Sequence, residues 1–436
     1  MSLVRTSLLN GIVVATRVLT ALVINKVLAV FVGPSGYAII GQFQNAISVI
    51  VSLAGVGLGT GVTKSTAAHF DDEVRQKAIW RTAMILALAS SICVGVALVM
   101  FRGLLADALL HDGDMAGVFV WLAMGLPAIA ANNLLLAMTN GKKDVAVFVI
   151  ANVVGSLLIL VLAGALTYYF NLFGALVAFA VSPAVTLLAT AFLLRRRKWL
   201  RFRDLWGALD RGALRELSGF ALMGLTSALS MPTALILIRE MLSTTLGLSQ
   251  AGYWQASWRL SEVYLMLITT TLAVYFLPRI AEIRQARALK SEILKVFRLA
   301  IPVVIVSSIL IFLARDLIIE VLFTAAFSPM RDLFGWQLLG DSIKISGWIL
   351  GYVMLGRAMV RSYVITEVLF SALFFGLSHV FVNSFGLQGV AMAFLVNSLL
   401  YVGVIAVLIR GELKRMQIRE NQTLKDNGAS TSPIHS

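Results

Sequence analysis

The sequence predicts an all-α integral membrane protein of about twelve crossing helices, and three observations predict it. Apolar residues fill 59% of the 436 positions, charged residues only 13%, and mean hydropathy is +0.89. That balance excludes an ordinary water-soluble domain of this length. The apolar residues fall in runs that meet or approach the ~20 residues a helix needs to cross hydrocarbon with its backbone groups bonded internally. About 28 of the Lys and Arg residues lie in alternate gaps between runs, against about four in the intervening gaps, the bias that sets orientation.

The runs are read at roughly 8–31, 37–62, 79–101, 117–139, 146–169, 173–194, 214–238, 250–277, 297–318, 334–356, 361–382 and 387–409. The first carries Arg17, Asn25 and Lys26, with no small-residue cleavage site after it, so it is a retained helix and not a signal peptide. Basic residues mark the inside gaps: the Arg5 end, Lys64 to Arg81, Lys142 and Lys143, Arg195 to Arg215, Arg279 to Arg298, Arg357 and Arg361, and Arg410 onward. The opposite gaps hold only Arg102, Arg239, Arg315 and Arg331 and are short. Both termini are expected in the cytoplasm, with the protein's work done inside the bilayer.

Residues 196–213, within RRRKWLRFR and DLWGALDR, read as a cytoplasmic linker, partly an amphipathic helix on the inner surface. They separate an N-terminal six-helix lobe, 1–195, from a C-terminal one, 214–410. From 411 to 436 the chain turns polar and is expected to be a disordered tail. A faint repeat links the lobes. GPSGYAIIGQFQN leads to Lys64, and SQAGYWQASWRLSE leads to Arg279, at an offset near 215. Six is even, so the lobes share one orientation and are expected to be related by a pseudo-twofold along the membrane normal, facing one another across a central cleft.

Polar side chains at helical spacing mark that expected cleft. Gln255, Arg259 and Glu262 share a face of the eighth run, and Gln337, Asp341 and Lys344 a face of the tenth. The second run offers Gln42 and Asn45. The first offers Arg17 deep in the span and Lys26 nearer its outer end, Lys64 stands at the inner mouth, and Glu367 begins a similar face on the eleventh run. An ionised group at such depth costs at least ~2.5–3.5 kcal/mol on insertion scales, so it belongs in a protein interior or a watery cavity. The cationic excess predicts an anionic ligand, because guanidinium groups offer paired donors to phosphate. Arg17, Lys26, Gln42, Asn45, Lys64, Gln255, Arg259, Gln337 and Lys344 are the substrate-binding candidates; Glu262, Asp341 and Glu367 balance charge or exchange a proton. The bland alternative makes Arg259 with Glu262, and Asp341 with Lys344, mutually neutralising pairs.

Other chemistry is excluded by spacing. The net charge of +14 sits in juxtamembrane gaps, which points to anionic lipid and not to nucleic acid. The single Cys93 allows no internal disulfide, and the four histidines have no partner at ligand spacing, so neither metal nor cofactor is expected. Gly55 to Gly61 followed by Thr63-Lys64-Ser65 lacks the GxxxxGK[ST] spacing, and its small residues suit close helix packing. Asp112-Gly-Asp114 reads as a solvated turn. A membrane polymerase or transferase would need a large outside loop, so no enzyme is predicted.

The stretch Met330-Arg-Asp-Leu-Phe-Gly-Trp-Gln-Leu-Leu-Gly-Asp-Ser-Ile-Lys344 resembles the Wzx-type lipid III flippases and O-antigen translocases. So do Lys26-Val-Leu-Ala-Val with Gly33-Pro-Ser-Gly36, Leu53-Ala-Gly-Val-Gly57 with Gly61-Val-Thr-Lys64, and Asn133 to Asp144. The resemblance extends to about Arg410. It implies the multidrug/oligosaccharidyl-lipid/polysaccharide exporter superfamily, a V-shaped MATE-like pair of lobes, and an undecaprenyl-diphosphate-linked oligosaccharide as the ligand. The implied action is flipping that lipid to the periplasmic leaflet, with the pathway's polymerase and chain-length regulator as partners. A multidrug-type small-molecule antiporter of the same fold is the alternative, and the cationic excess argues against it.

Overall fold

A computed structural model describes the backbone of residues 3–429, apart from 277, 278, 281, 282, 284 and 358, and most side chains between 11 and 422. The long helices, in order, are α1 Leu3–Phe31, α2 Gly33–Ala54, α4 Glu73–Met100, α6 Gly117–Gly141, α7 Val145–Leu194, α8 Arg211–Thr245, α9 Leu248–Thr271, α10 Ala286–Leu313, α12 Phe334–Gly356, α13 Val360–Phe385 and α14 Leu387–Ala429. Short helices α3, Gly59–Ala68, α5, Arg102–Leu110, and α11, Arg315–Leu322, lie between them. Among the described residues ten segments are long and apolar enough to span a membrane. One of these is α7, whose Asn171 (φ 49°, ψ −130°) divides it into limbs 145–170 and 172–194. With α7 taken as two helices and the more polar 24-residue α9 added, each run read from the sequence rests on a helix.

Lipid explains the surface. On α10, Leu299, Val303, Val306, Leu310 and Leu313 are all exposed at three- and four-residue spacing, while Leu289, Ile293, Val304 and Ser308 are buried. A helix that turns such a stripe outward belongs in hydrocarbon.

Two runs are interrupted. After Ala54 the turn Gly55 to Leu58 places Val56 and Gly57 at positive φ, and the helix resumes only as α3. Gly57 packs so closely that a Cβ there would stand 2.9 Å from the Ala221 carbonyl and the Leu225 nitrogen. The ninth run likewise ends at Leu313, and Arg315 opens α11. At the other end of the chain, α14 stays helical to Ala429, well past the 411 at which order was expected to stop. Its extension has something to hold: Met416 is buried with Leu289 and Ile293, and the Glu420 carboxylate accepts from the Ala286 N–H at 2.6 Å, satisfying an orphan donor at the start of α10. The last residues, 430–436 with His435, lie outside the described ones.

Packing divides the chain into two compact units, Met1–Arg259 with Asp316–Arg331, and Leu260–Arg315 with Asp332–Ser436. The first contains a core of Leu58, Trp80, Leu134, Met138 and Leu217. Leu200 and Leu205 join it, so the linker is pinned by side chains and forms one short 3-10 turn, Phe202–Leu205, in place of the predicted amphipathic helix. The second unit is centred on Phe276, Ile349, Val353 and Ile405.

The repeat has a backbone signature inside each unit. Gly386 (φ 60°, ψ −143°) breaks the chain between α13 and α14 as Asn171 breaks α7, about 215 positions earlier. Three residues on, Gly174 lies against the Leu166 carbonyl and Gly389 against that of Phe381. Gly125 likewise meets Ala180 and Ala184, and Gly340 meets Phe394 and Leu395. Each pair of helices closes through the same small residue at the same register.

Candidate functional site

The first unit gathers several predicted residues around one that was not predicted. Arg239, placed by sequence in an outside gap, lies within α8 and is 2% exposed. Its Nη1 donates to Gln42 Oε1 at 2.8 Å and its Nη2 to Gln255 Oε1. The Asn45 amide, with its oxygen toward the guanidinium, accepts from Nη1 and Nη2 at 3.2 and 3.1 Å. Gln42 also donates to the Ile236 carbonyl, and the Trp254 ring lies 5.6 Å from the guanidinium carbon. Three candidates for the ligand site are thus joined in a buried polar knot of α2, α8 and α9. Its place one residue beyond the seventh run hid Arg239 from the sequence reading.

Beside the knot, Ile24, Asn25, Leu28, Tyr37, Ile40, Gly41, Gln44, Gln255 and Arg259 line a small pocket. Gly41 makes room for it, since a Cβ there would collide with the Gln255 amide. Arg259 is half-buried, whereas Arg17 is exposed, on α1, and donates to Asn152 Oδ1 of α7. Asn152 is itself held by donating to the Phe148 carbonyl at 2.7 Å. Lys26 is occupied differently: its ammonium donates to the carbonyls of Glu320 and Phe323 at 2.9 and 2.6 Å, at the end of α11, where helix carbonyls lack internal partners. Lys64 is exposed on α3.

In the second unit Asp341 is 1% exposed and its carboxylate accepts from Ser261 and Tyr264, and from Gln337 at 3.4 Å. Lys344, one turn on, lies within electrostatic reach of Asp341, Glu262 and Glu367. Its Nζ stands 4.8 Å from the Trp348 ring and 5.0 Å from that of Phe394. Glu367 accepts from the Tyr401 hydroxyl at 3.3 Å, and Glu262 is exposed. Hydroxyl and amide donors that the sequence could not pair hold Asp341 in place. Among the described residues no three His, Cys, Asp or Glu side chains group closely enough to hold a metal ion.

A third cluster ties the linker and α8 to α4. Arg75 reaches Asp210 and Glu216, each at 3.0 Å, and Lys77 reaches Asp204 at 3.3 Å. Asp210 also caps α8, accepting from the Ala213 N–H at 2.6 Å. That backbone bond, with Arg75, lowers the Asp210 pKa. Burial works against ionisation of Glu216, but its interactions with Ser65, Arg75 and His69 outweigh it and the pKa is lowered too. Both carboxylates therefore contribute stability above the ordinary range near 4 and lose it only as pH falls through their depressed folded values. Thermal melting of the purified protein is expected to fall on acidification below about pH 5 as these two carboxylates protonate, and the Arg75→Ala variant to start from a lower plateau and show a shallower acid limb that converges on wild type. Superimposable acid limbs would show that the cluster holds nothing.

Comparison with known proteins places these helices in a family. Residues 3–284 match the family model described as polysaccharide biosynthesis protein. The chain belongs to that family. It is 30% identical over 406 residues to proteins named lipid III flippase from Escherichia coli K12 and Shigella flexneri, covering 92% of this chain and 96% of each relative. Among solved structures, an inward-facing multidrug resistance MATE transporter of the MOP superfamily matches with a TM-score of 0.76 and 20% identity, covering 92% of this chain and 95% of that one. An outward-facing MATE structure matches at 0.73 and 20% identity, covering 95% and 96%. At that identity the MATE likeness establishes the fold, a multi-pass helical membrane transporter fold.

Proposed function

We propose that this family member flips an undecaprenyl-diphosphate-linked oligosaccharide, such as lipid III, from the cytoplasmic to the periplasmic leaflet of the bacterial inner membrane. The observation that carries the reading is identity to two lipid III flippases along nearly the whole of both chains. The physical requirement agrees with it. A diphosphate and several sugars cannot shed their water into hydrocarbon without replacement contacts, and charges bear the largest penalty. Arg17 and Arg259, with the amides near them, supply such contacts within the membrane-spanning helices, and no covalent step is needed. The repeated turns support two six-helix lobes of common design, 1–195 and 214–410, and the Lys and Arg bias supports cytoplasmic termini. The polymerase and chain-length regulator of the same pathway would then take up the delivered product.

The test is complementation of a strain lacking its lipid III or O-antigen flippase, followed by flipping of the lipid-linked oligosaccharide in reconstituted vesicles. Arg17→Ala and Arg259→Ala are expected to slow flipping by at least about tenfold, the loss of a charge-assisted hydrogen bond, and Lys64→Ala by less. Failure of the wild-type protein in both assays overturns the reading. Equal rates for the three variants overturn the assigned roles.

A further inference from the structure

The linker after α7 sorts its charges by direction. Its acids face inward: Asp204 meets Lys77, and Asp210 meets Arg75, both on α4. Its cations face outward. Arg195, Arg196, Lys198, Arg201 and Arg203 are all exposed, and among the described residues none of them pairs with a carboxylate, whereas Arg197 turns back to Asp144 at 3.0 Å.

Apolar side chains divide in the same place. Leu200 and Leu205 enter the core, and the Trp199 ring stands edge-on to that of Trp80 at 5.7 Å. The 3-10 turn Phe202–Leu205 sits between the extended residues Arg201 and Trp206, with Leu205 buried and Phe202, Trp206 and Leu209 exposed, Trp206 at 62%. Rings and cations interleaved on one exposed surface suit water poorly, because the rings gain nothing there. An anionic lipid surface suits both. Phosphates take the cations, and the boundary between headgroup and acyl chain takes the rings.

The surface also begins where lipid already is. On the second limb of α7, Leu188 and Phe192 are exposed, as hydrocarbon requires of a spanning helix, and the Arg195 guanidinium carbon lies 3.8 Å from the centre of the Phe192 ring. The basic patch is continuous with that lipid-facing stripe. An acidic soluble protein would match the charge but not the continuity. The ion pairs to α4 and the two buried leucines fix the linker beforehand, so docking orders little more of the chain.

We propose that residues 195–209 form a docking surface for anionic phospholipid of the adjoining leaflet, with phosphate on Arg196, Lys198, Arg201 and Arg203 and with Phe202 and Trp206 inserted among the headgroups. The surface ties the linker, and through Lys77 and Arg75 the start of α4, to the bilayer. Such docking is independent of what the protein transports.

The chain's single cysteine, Cys93, makes a site-directed probe simple. Cys93→Ala with Ala208→Cys gives one attachment point for bimane, at an exposed position two residues from Trp206. The labelled full-length protein is reconstituted in vesicles of equimolar phosphatidylcholine and phosphatidylglycerol, in which a small and equal fraction of one lipid or the other carries an acyl-chain nitroxide near the glycerol. Nitroxide phosphatidylglycerol is expected to reach an apparent local concentration at least about fivefold above that of nitroxide phosphatidylcholine, the preference that one basic residue near an anionic surface would supply. Changing Arg196, Lys198, Arg201 and Arg203 to Gln should abolish the preference and leave quenching by phosphatidylcholine in place, whereas Phe202→Ser with Trp206→Ser should weaken quenching by both lipids. If the quadruple variant misfolds, Arg201→Gln with Arg203→Gln should lower the preference in part. Equal quenching by the two lipids with the unsubstituted linker, or a preference that survives the Gln substitutions, overturns the surface as a site for anionic lipid. Quenching by neither lipid places the linker away from the bilayer and overturns the docking in favour of an aqueous partner. A preference lost on adding excess glycerol 3-phosphate at constant ionic strength would show that free phosphate suffices, and would overturn lipid as the occupant.

Discussion

Arg239→Ala is expected to destabilise the protein by about 3 kcal/mol or more, because buried acceptors stripped of their donor cost ~1–3 kcal/mol each. Gln42 and Gln255, at 3% and 5% exposure, would keep their carbonyl oxygens in the interior without the guanidinium that now bonds them. Asn45 would lose both of its bonds to the same group. The vacated volume adds to the penalty, since tightly packed surroundings relax only in part. Arg239→Lys distinguishes charge from geometry. An ammonium keeps the charge but cannot present two N–H pairs in one plane to three amides, so it should recover only part of the loss. Thermal melting followed by size-exclusion chromatography reads both variants. A lysine variant as stable as wild type would mean that charge alone suffices; an alanine variant as stable as wild type would mean that the knot holds nothing.

That knot also shows what a single chain can and cannot reveal about itself. The helices were legible because hydrocarbon imposes length and composition on each segment separately. The repeat was legible only in the two stretches that lead to Lys64 and Arg279; its match at Gly174 and Gly389, which meet the same local need for close approach, shows only in the backbone. Candidate polar residues were legible one helix at a time, as Gln255 and Arg259 share a face and Asp341 and Lys344 share another. Their partners were not. Arg239 finds Gln42 across 197 positions, Asp341 finds Ser261 across 80, and Arg17 finds Asn152 across 135; nothing in local spacing encodes such pairings. Lys26 illustrates the converse. Its depth suggested a ligand role, and two carbonyls at the end of α11 accept hydrogen bonds from its ammonium. The helical extension beyond 411 was missed because composition alone marked it as polar, while a buried Met416 and a capping Glu420 give it a place to dock.

Gly252→Ala is expected to be among the most damaging small substitutions at the described glycines. A Cβ at this position would fall within contact of the Pro34 carbonyl oxygen, at less than any real separation, and 2.6 Å from the Pro34 carbonyl carbon. The obstacle is backbone at the start of α2, where Pro34 itself stiffens the chain, so no side-chain rotation relieves it. Either α9 or the first turn of α2 must move. Overpacking of this kind costs ~1–3 kcal/mol and occasionally more, and a backbone obstacle puts it at the upper end. The displacement would not stay local. Ser35 and Ser249, whose hydroxyls meet at 2.8 Å beside the contact, would separate. Further along the same two helices, Gln255 would be drawn away from Gly41 and from Arg239. Gly11→Ala is the control: on α1, with no atom within 4 Å of the added carbon, it should be neutral or slightly stabilising by helix propensity. The measurement is the melting temperature of each variant, with binding of the wild-type ligand scored at a temperature where both remain folded. If Gly252→Ala melts with Gly11→Ala, the close approach of α9 to Pro34 is not what holds these helices together, and the pocket beside Asn25 would need another source of rigidity.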